Sequence, residues 1–213
     1  MKGIYSKLDS NFNWKKLDKL VKNNLKKDKT GHDYKHTLRV LNNCLELARS
    51  SKKVDYDVLV ASCLLHDISY KKGYVKNHHL VGAREAKKIL TKMNFPKNKI
   101  KRAIVAIEDH VGNVSRAIRK NKDLQIESKI LRDADNLDAL GKIGLERQVS
   151  FCKSRGIPFF KSKEDKFNQS AYGGVKEIIK WADRMLTPKG KRIGKQRTKV
   201  MKLFLKKVEE KYL

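Results

Sequence analysis

Residues 58–69 read VLVASCLLHDIS. The run VLVASCLL is uncharged and apolar on nearly every side of a helical turn, with Val58, Leu59, Ala61, Leu64 and Leu65 spread around the axis. A helix without a polar face belongs in the middle of a core. The stretch from about Asp55 to Ile68 is therefore expected to be the central helix of its domain. Directly after that buried surface come His66 and Asp67, groups that are costly to bury unless something pairs with them.

Working outward, the flanking segments repeat at the helical period and none alternates at period two. Trp14, Leu17, Val21 and Leu25 mark a first amphipathic helix that ends before KKDKTG (26–31). Asp33 is a candidate N-cap for a second, which carries His36, Val40, Cys44 and Leu47 on one face. GYVKNHH (73–79) reads as a loop, followed by a helix through Ala83, Ala86 and Leu90. Asn94-Phe95-Pro96 breaks the chain ahead of Ile100, Ile104 and Ile107. Ile126 to Leu140 form a helix interrupted near Gly141, with helical character continuing to Phe151. Residues 152–170 are polar, contain Pro158 and read as a mobile loop. A helix from Val175 to Met185 stops at Thr187-Pro188, and a basic helix closes the chain with Ile193, Val200, Phe204, Leu205 and Val208 inward. All three prolines fall between helices in this parse. The expectation is one all-α domain over residues 1–213: an N-terminal helix within 1–30, a core over 31–150, and C-terminal helices over 171–213 packing on it.

With 51 Lys+Arg against 23 Asp+Glu, the formal net charge is +28. Such an excess favours phosphates, nucleotides, nucleic acid or an acidic surface as partners. It is spread along the chain without the aromatic interleaving of a stacking platform. Cys44, Cys63 and Cys152 form no CxxC pair and suggest no disulfide framework. The start, MKGIYSKLDS, has no apolar signal-peptide core. VLVASCLL is too short to cross a bilayer. A cytoplasmic protein without a membrane partner is expected.

Three stretches concentrate chemistry. GHDYKHTLRV (31–40) puts His32 and His36 four apart on one helical face. They could clamp a metal together, or one could be a ligand and the other a helix-entry or substrate residue. LLHDIS (64–69) adds His66 and Asp67. ILRDADNLDALG (130–141) adds Asp133, Asp135 and Asp138 at the polar end of another core-type helix. Buried carboxylates are costly unless paired or metal-bound. Two imidazoles with two carboxylates make a mixed nitrogen–oxygen site for a borderline divalent ion.

In that order, H…HD…D on successive helices resembles the HD superfamily of metal-dependent phosphohydrolases. HDYKHTLRV, LLHDIS, IEDH, ESKILRDADNLDALGKIGLERQ and MLTPKGKRIGKQR are similar to blocks of its small stand-alone bacterial and archaeal members. The resemblance covers residues 31–210 and implies an HD-domain helical bundle with the metal site between core helices. It implies His36, His66, Asp67 and Asp135 as ligands and leaves His32 as a pocket-wall residue. Asp133 and Asp138 are candidates to orient the imidazoles from outside the ligand set. One divalent transition metal is expected, manganese ahead of iron, cobalt, nickel and zinc. Dinuclear members recruit further histidines, and His78, His79 and His110 stand in the corresponding regions.

Members often place a carboxylate just after the HD pair, whereas Ser69, Tyr70, Lys71 and Lys72 follow it here. Lys71 is expected to hold phosphate and His110 to protonate the leaving group, making Asp67, His110 and Lys71 the expected catalytic groups. His32, His78, Lys71 and Arg147 are the expected substrate contacts, although Glu146 beside Arg147 stands where a small residue is more usual. The resemblance implies a phosphohydrolase of nucleotides or small phosphoesters, with nucleoside-triphosphate pyrophosphohydrolase as the specific guess. The alternatives are an RNA or oligonucleotide phosphodiesterase, or a non-catalytic nucleic-acid binder using the basic surface.

Overall fold

The computed structural model describes residues 8–28, 30–72, 76–111 and 124–212. Among these the chain is all-α. Its helices are α1 (Trp14–Leu25), α2 (Tyr34–Ala48), α3 (Tyr56–Leu65), α4 (His78–Lys92), α5 (Lys97–Asp109), α6 (Ile126–Asp138), α7 (Gly141–Ser154), α8 (Ala171–Ile179) and α9 (Pro188–Tyr212). Short 3₁₀ turns follow α3 (Ile68–Lys72) and α8 (Lys180–Arg184). The chain forms two compact units, Met1–Arg132 and Asp133–Leu213, with α6 running through the boundary.

In the first unit α3 is the central helix, and α1, α2, α4 and α5 pack on it. Every residue from Asp57 to Leu65 is buried, the outcome its unbroken hydropathy demands. Leu17, Val21 and Leu25 of α1, Val40 and Cys44 of α2, and Ala83, Ala86 and Leu90 of α4 supply the facing surfaces. Asp55 starts α3 by accepting hydrogen bonds from the Asp57 and Val58 amides. Its own amide donates to the fully buried Glu127 at 2.8 Å, and Arg102 of α5 donates to the same carboxylate oxygen at 2.9 Å. Lys99 reaches Asp57 at 2.5 Å. This network fixes the start of α3, and hence the position of its far end, where the HD pair sits.

The second unit packs α7, α8 and α9 against one another. Gly141 adopts φ +84°, which favours glycine, and its amide lies 3.3 Å from the Met201 sulfur of α9. Tyr172 of α8 donates its hydroxyl proton to Glu209 of α9 at 2.5 Å. The segment 155–170 is held by hydrogen bonds despite its polar composition. Asp165 accepts from the Lys161 amide, and the Ala171 and Tyr172 amides donate to the Pro158 and Phe159 carbonyls.

Some boundaries differ from expectation. GYVKNHH is not loop throughout, because α4 begins at His78 after Asn77 turns the chain at φ 57°. Pro188 opens α9 instead of separating helices; a first-turn proline lacks an N–H that would be orphaned there anyway. Val200, expected inward, is 41 % exposed. The buried face of α9 is Gly190, Ile193, Gly194, Thr198, Met201 and Val208.

Candidate metal centre

Asp33 caps α2 by accepting the His36 amide at 2.8 Å. This places His36 in the first helical turn with its ring buried. His66 terminates α3 and His110 terminates α5. Each turns its Nδ1 onto the carbonyl three residues earlier, His66 to Cys63 at 2.7 Å and His110 to Ile107 at 2.5 Å. Nδ1–H donation leaves Nε2 of both rings as the atom offered to the site. Asp67 lies in the turn that follows, and its carbonyl accepts the Tyr70 amide at 2.9 Å. Gly82 lets α4 close on this turn: a Cβ there would stand 3.2 Å from the His66 carbonyl oxygen.

These elements converge on Asp67. Its Oδ2 lies 3.3 Å from His36 Nε2 and 3.1 Å from His66 Nε2, and the two nitrogens are 3.4 Å apart. On the other side, Oδ1 lies 3.8 Å from His78 Nε2 and 4.0 Å from His110 Nε2. Asp67, His78 and His110 thus offer three ligand atoms within 4.8 Å of one another. Burial works to raise the Asp67 pKa, but His66 and His36, with a further contribution from His32, hold it well below the usual carboxylate range. The charged form is the one that faces the imidazoles.

Divalent-metal coordination suits this donor set. Asp67 Oδ2 is buried and accepts no hydrogen bond, although two imidazole nitrogens crowd it. One proton could satisfy one of those nitrogens; the other would still point a lone pair at a carboxylate. A cation relieves the repulsion on all three atoms, and nitrogen–oxygen sets of this kind suit manganese, iron, cobalt, nickel or zinc.

Around this centre, His32 stacks on Tyr70 with ring centroids 4.0 Å apart and 6° between planes. The Tyr70 hydroxyl lies 3.3 Å from His78 Nδ1. Sequence reasoning passed over Tyr70 and Gly82; for Tyr70 the available signal was an aromatic three residues beyond the HD pair. Ser69 hydrogen-bonds the His78 carbonyl at 3.2 Å and secures the start of α4. Lys71 is ion-paired with Glu85 of α4. His79 has a pKa lowered by burial, opposed by Glu108.

The remaining expected residues belong to the second unit. Asp133 accepts the Leu186 and Thr187 amides at 2.8 and 2.7 Å and the Thr187 hydroxyl at 2.7 Å. Within this unit it therefore clamps the start of α9. Asp138 is ion-paired with Arg147. Asp135 is half-buried on α6.

Comparison with known proteins agrees with this geometry. Residues 33–140 match the HD domain family, a span that takes in the capped helix, the HD pair and Asp135. The chain belongs to the HD-domain family. As an HD-domain protein it is a metal-dependent hydrolase. It is 24 % identical to the uncharacterized protein YpgQ of Bacillus subtilis over 191 residues, 89 % of each chain. The crystal structure of YpgQ in complex with ADP superposes with a TM-score of 0.72 at 23 % identity, covering 92 % of this chain and 93 % of that one. An HD-superfamily hydrolase from Bacillus thuringiensis gives a TM-score of 0.73, also at 23 % identity, with 93 % and 95 % covered. No described helix is long and apolar enough to cross a membrane.

Proposed function

We propose that this HD-domain protein hydrolyses a phosphoester or phosphoanhydride bond in a nucleotide or a similar small phosphorylated molecule. The observation that carries the reading is the two-sided environment of Asp67, with one imidazole pair on each carboxylate oxygen. A divalent ion bound there would supply Lewis-acid activation of water and neutralise phosphate oxygens. His36, His66 and Asp67 would hold it, with Asp135 added by the order of the family's motif. His78 and His110, on the far oxygen of Asp67, favour room for a second ion.

That arrangement gives His110 two candidate roles. As leaving-group acid it would deliver a proton from Nε2; as ligand it would offer the Nε2 lone pair beside His78. Its Nδ1 is already committed to the Ile107 carbonyl, so Nε2 is the working atom in both. The stacked His32 and Tyr70 pair supplies a flat wall suited to a base. Lys71 would reach a phosphate by exchanging Glu85 for it, and Arg147 by exchanging Asp138. ADP in the YpgQ crystal structure supports a nucleotide, and nucleoside-triphosphate pyrophosphohydrolysis remains the specific reaction to test.

The deciding experiment incubates the protein with nucleotides and simple phosphoesters in Mn²⁺, Co²⁺, Ni²⁺ or Mg²⁺ and identifies products by ³¹P NMR. Release of pyrophosphate or of orthophosphate names the bond cut, and no turnover with any metal overturns the proposal. Metal analysis of His110→Ala then separates the two roles. An unchanged ion count with kcat down about 10²–10⁴-fold indicates the acid, and loss of an ion indicates the ligand.

A further inference from the structure

His78 is held differently from His66 and His110. The Nδ1 atoms of those two rest on the main-chain carbonyls of Cys63 and Ile107, and a carbonyl can only accept. The Nδ1 of His78 instead faces a side chain, the Tyr70 hydroxyl at 3.3 Å. Its other nitrogen, Nε2, faces Asp67 Oδ1 at 3.8 Å. Both contacts come from one turn. The Tyr70 amide donates to the Asp67 carbonyl at 2.9 Å, and side chains three apart in such a turn lie one above the other. Ser69, within the same turn, bonds the His78 carbonyl. A single turn therefore grips the main chain and both nitrogens of His78.

Tyr70 is itself fixed from behind. It is buried, and its ring lies flat on His32. His32 is tied down in turn: its amide donates to Asp28 Oδ2 at 2.8 Å, and its Nδ1 lies 2.9 Å from the Thr30 hydroxyl. That hydroxyl has one proton and gives it to Asp28 Oδ1 at 2.8 Å. Towards His32 it must accept, so the His32 Nδ1 carries the hydrogen. With this imidazole anchored and the phenol ring pressed against it, the freedom left to Tyr70 is rotation of its O–H bond.

We propose that Tyr70 is a positioning residue for a second divalent cation. Its hydroxyl accepts the Nδ1 proton of His78 and so turns the Nε2 lone pair towards the space that His78 shares with His110 and Asp67, whose ligand atoms lie within 4.8 Å of one another. This inference rests on the reading of the centre as a divalent-metal site and makes His78 a ligand in it. A hydroxyl can also donate: with the His78 hydrogen on Nε2, towards Asp67, the phenol turns its own proton to Nδ1. The carbonyls behind His66 and His110 allow no such reversal. The His78 side is thus the one whose hold on a cation depends on a removable atom, the Tyr70 oxygen. Loss of such an orienting partner costs about 10- to 100-fold in metal affinity.

The test titrates the full chain, stripped with EDTA and dialysed, with Mn²⁺ by isothermal calorimetry and follows the bound ions by EPR, with no substrate present. The wild type should bind two ions and, at two equivalents, give the exchange-coupled spectrum of a dinuclear centre. Tyr70→Phe keeps the ring and its stack on His32 and removes only the oxygen. It should bind the first ion as the wild type does and the second about 10- to 100-fold more weakly. Its coupled spectrum should be lost at two equivalents and return at higher Mn²⁺. The proposal fails if the wild type binds a single ion, or if Tyr70→Phe keeps wild-type affinity for both. It fails equally if the variant weakens both ions alike, the mark of a general structural role. In those three outcomes the wild type still binds metal and the metal-site reading stands. A wild type that binds no Mn²⁺, Co²⁺ or Ni²⁺ overturns both.

Discussion

Replacing Asp67 by asparagine tests whether the HD turn is a metal nest or an internal ion pair. The substitution keeps the side-chain volume and removes one charge from a site bounded by nitrogens at 3.1 and 3.3 Å. A unit charge 4 Å from the carboxylate interacts with it by about 4 kcal/mol at an effective dielectric of 20. A divalent ion doubles that figure, and if half survives desolvation the variant loses about 4 kcal/mol of metal binding, roughly 10³-fold. At a metal concentration of 100 times the wild-type Kd, the wild type gains about 2.7 kcal/mol of stability. The variant then sits at a tenth of its own Kd and gains less than about 0.1 kcal/mol. For a chain of this length the difference is a Tm shift of about 5–10 °C, seen only in the wild type. In chelator the variant should lose less than about 3 kcal/mol, the low end for a broken buried ion pair, because His66 and His36 favour the ionised carboxylate while its Oδ2 accepts no hydrogen bond. Differential scanning fluorimetry with Mn²⁺ and with EDTA reads both arms. A variant that gains the full shift with metal refutes the reasoning. So does one that loses 3 kcal/mol or more in EDTA, since Asp67 would then be a structural partner of His36 and His66.

Asp33→Ala should cost about 1 kcal/mol of stability by removing the α2 cap and should weaken metal binding through His36, both visible in the same fluorimetry. Glu127→Ala should destabilise by about 2 kcal/mol, measured by urea unfolding, because the Asp55 amide and Arg102 lose a buried acceptor. Tyr172 has its pKa raised to about 12 from 10.0 by burial and by Glu209. A raised folded-state pKa means that this contribution is fully present below pH 10 and is lost as pH rises from about 10 towards 12. The stability difference between wild type and Tyr172→Phe should therefore shrink across that window.

What the sequence disclosed, and what it hid, follows from the kind of signal involved. The run from Val58 to Leu65 announced the central helix because burial on all sides leaves no other pattern. Asp33 was legible as a cap because the capping bond is local, and here it forms with the His36 amide three residues on. The start of α4 was hidden, since His78 and His79 contribute no apolar periodicity; their turn is secured by Ser69, nine residues earlier. The inward face of α9 was misassigned at Val200 because glycines at 190 and 194 mark the close approach, and hydropathy gives glycine little weight. Asp133 was legible as a candidate imidazole-orienting group, but its clamp on the start of α9 was not. Its bonds to Leu186 and Thr187 span 53 and 54 residues, a separation that no local pattern reports. The partners of Lys71 and Arg147 were equally non-local choices among many carboxylates.

The carbonyls of Cys63 and Ile107, which accept the Nδ1 protons of His66 and His110, are main-chain groups at helix ends, where carbonyls lack intrahelical partners. Many histidine ligands are oriented by carboxylate side chains that a single codon change can remove. Here any residue at 63 or 107 that keeps the helix supplies the same acceptor. The tautomer of both rings is therefore inherited with the fold, and the surrounding positions stay free to drift towards new substrates without unsettling the imidazoles.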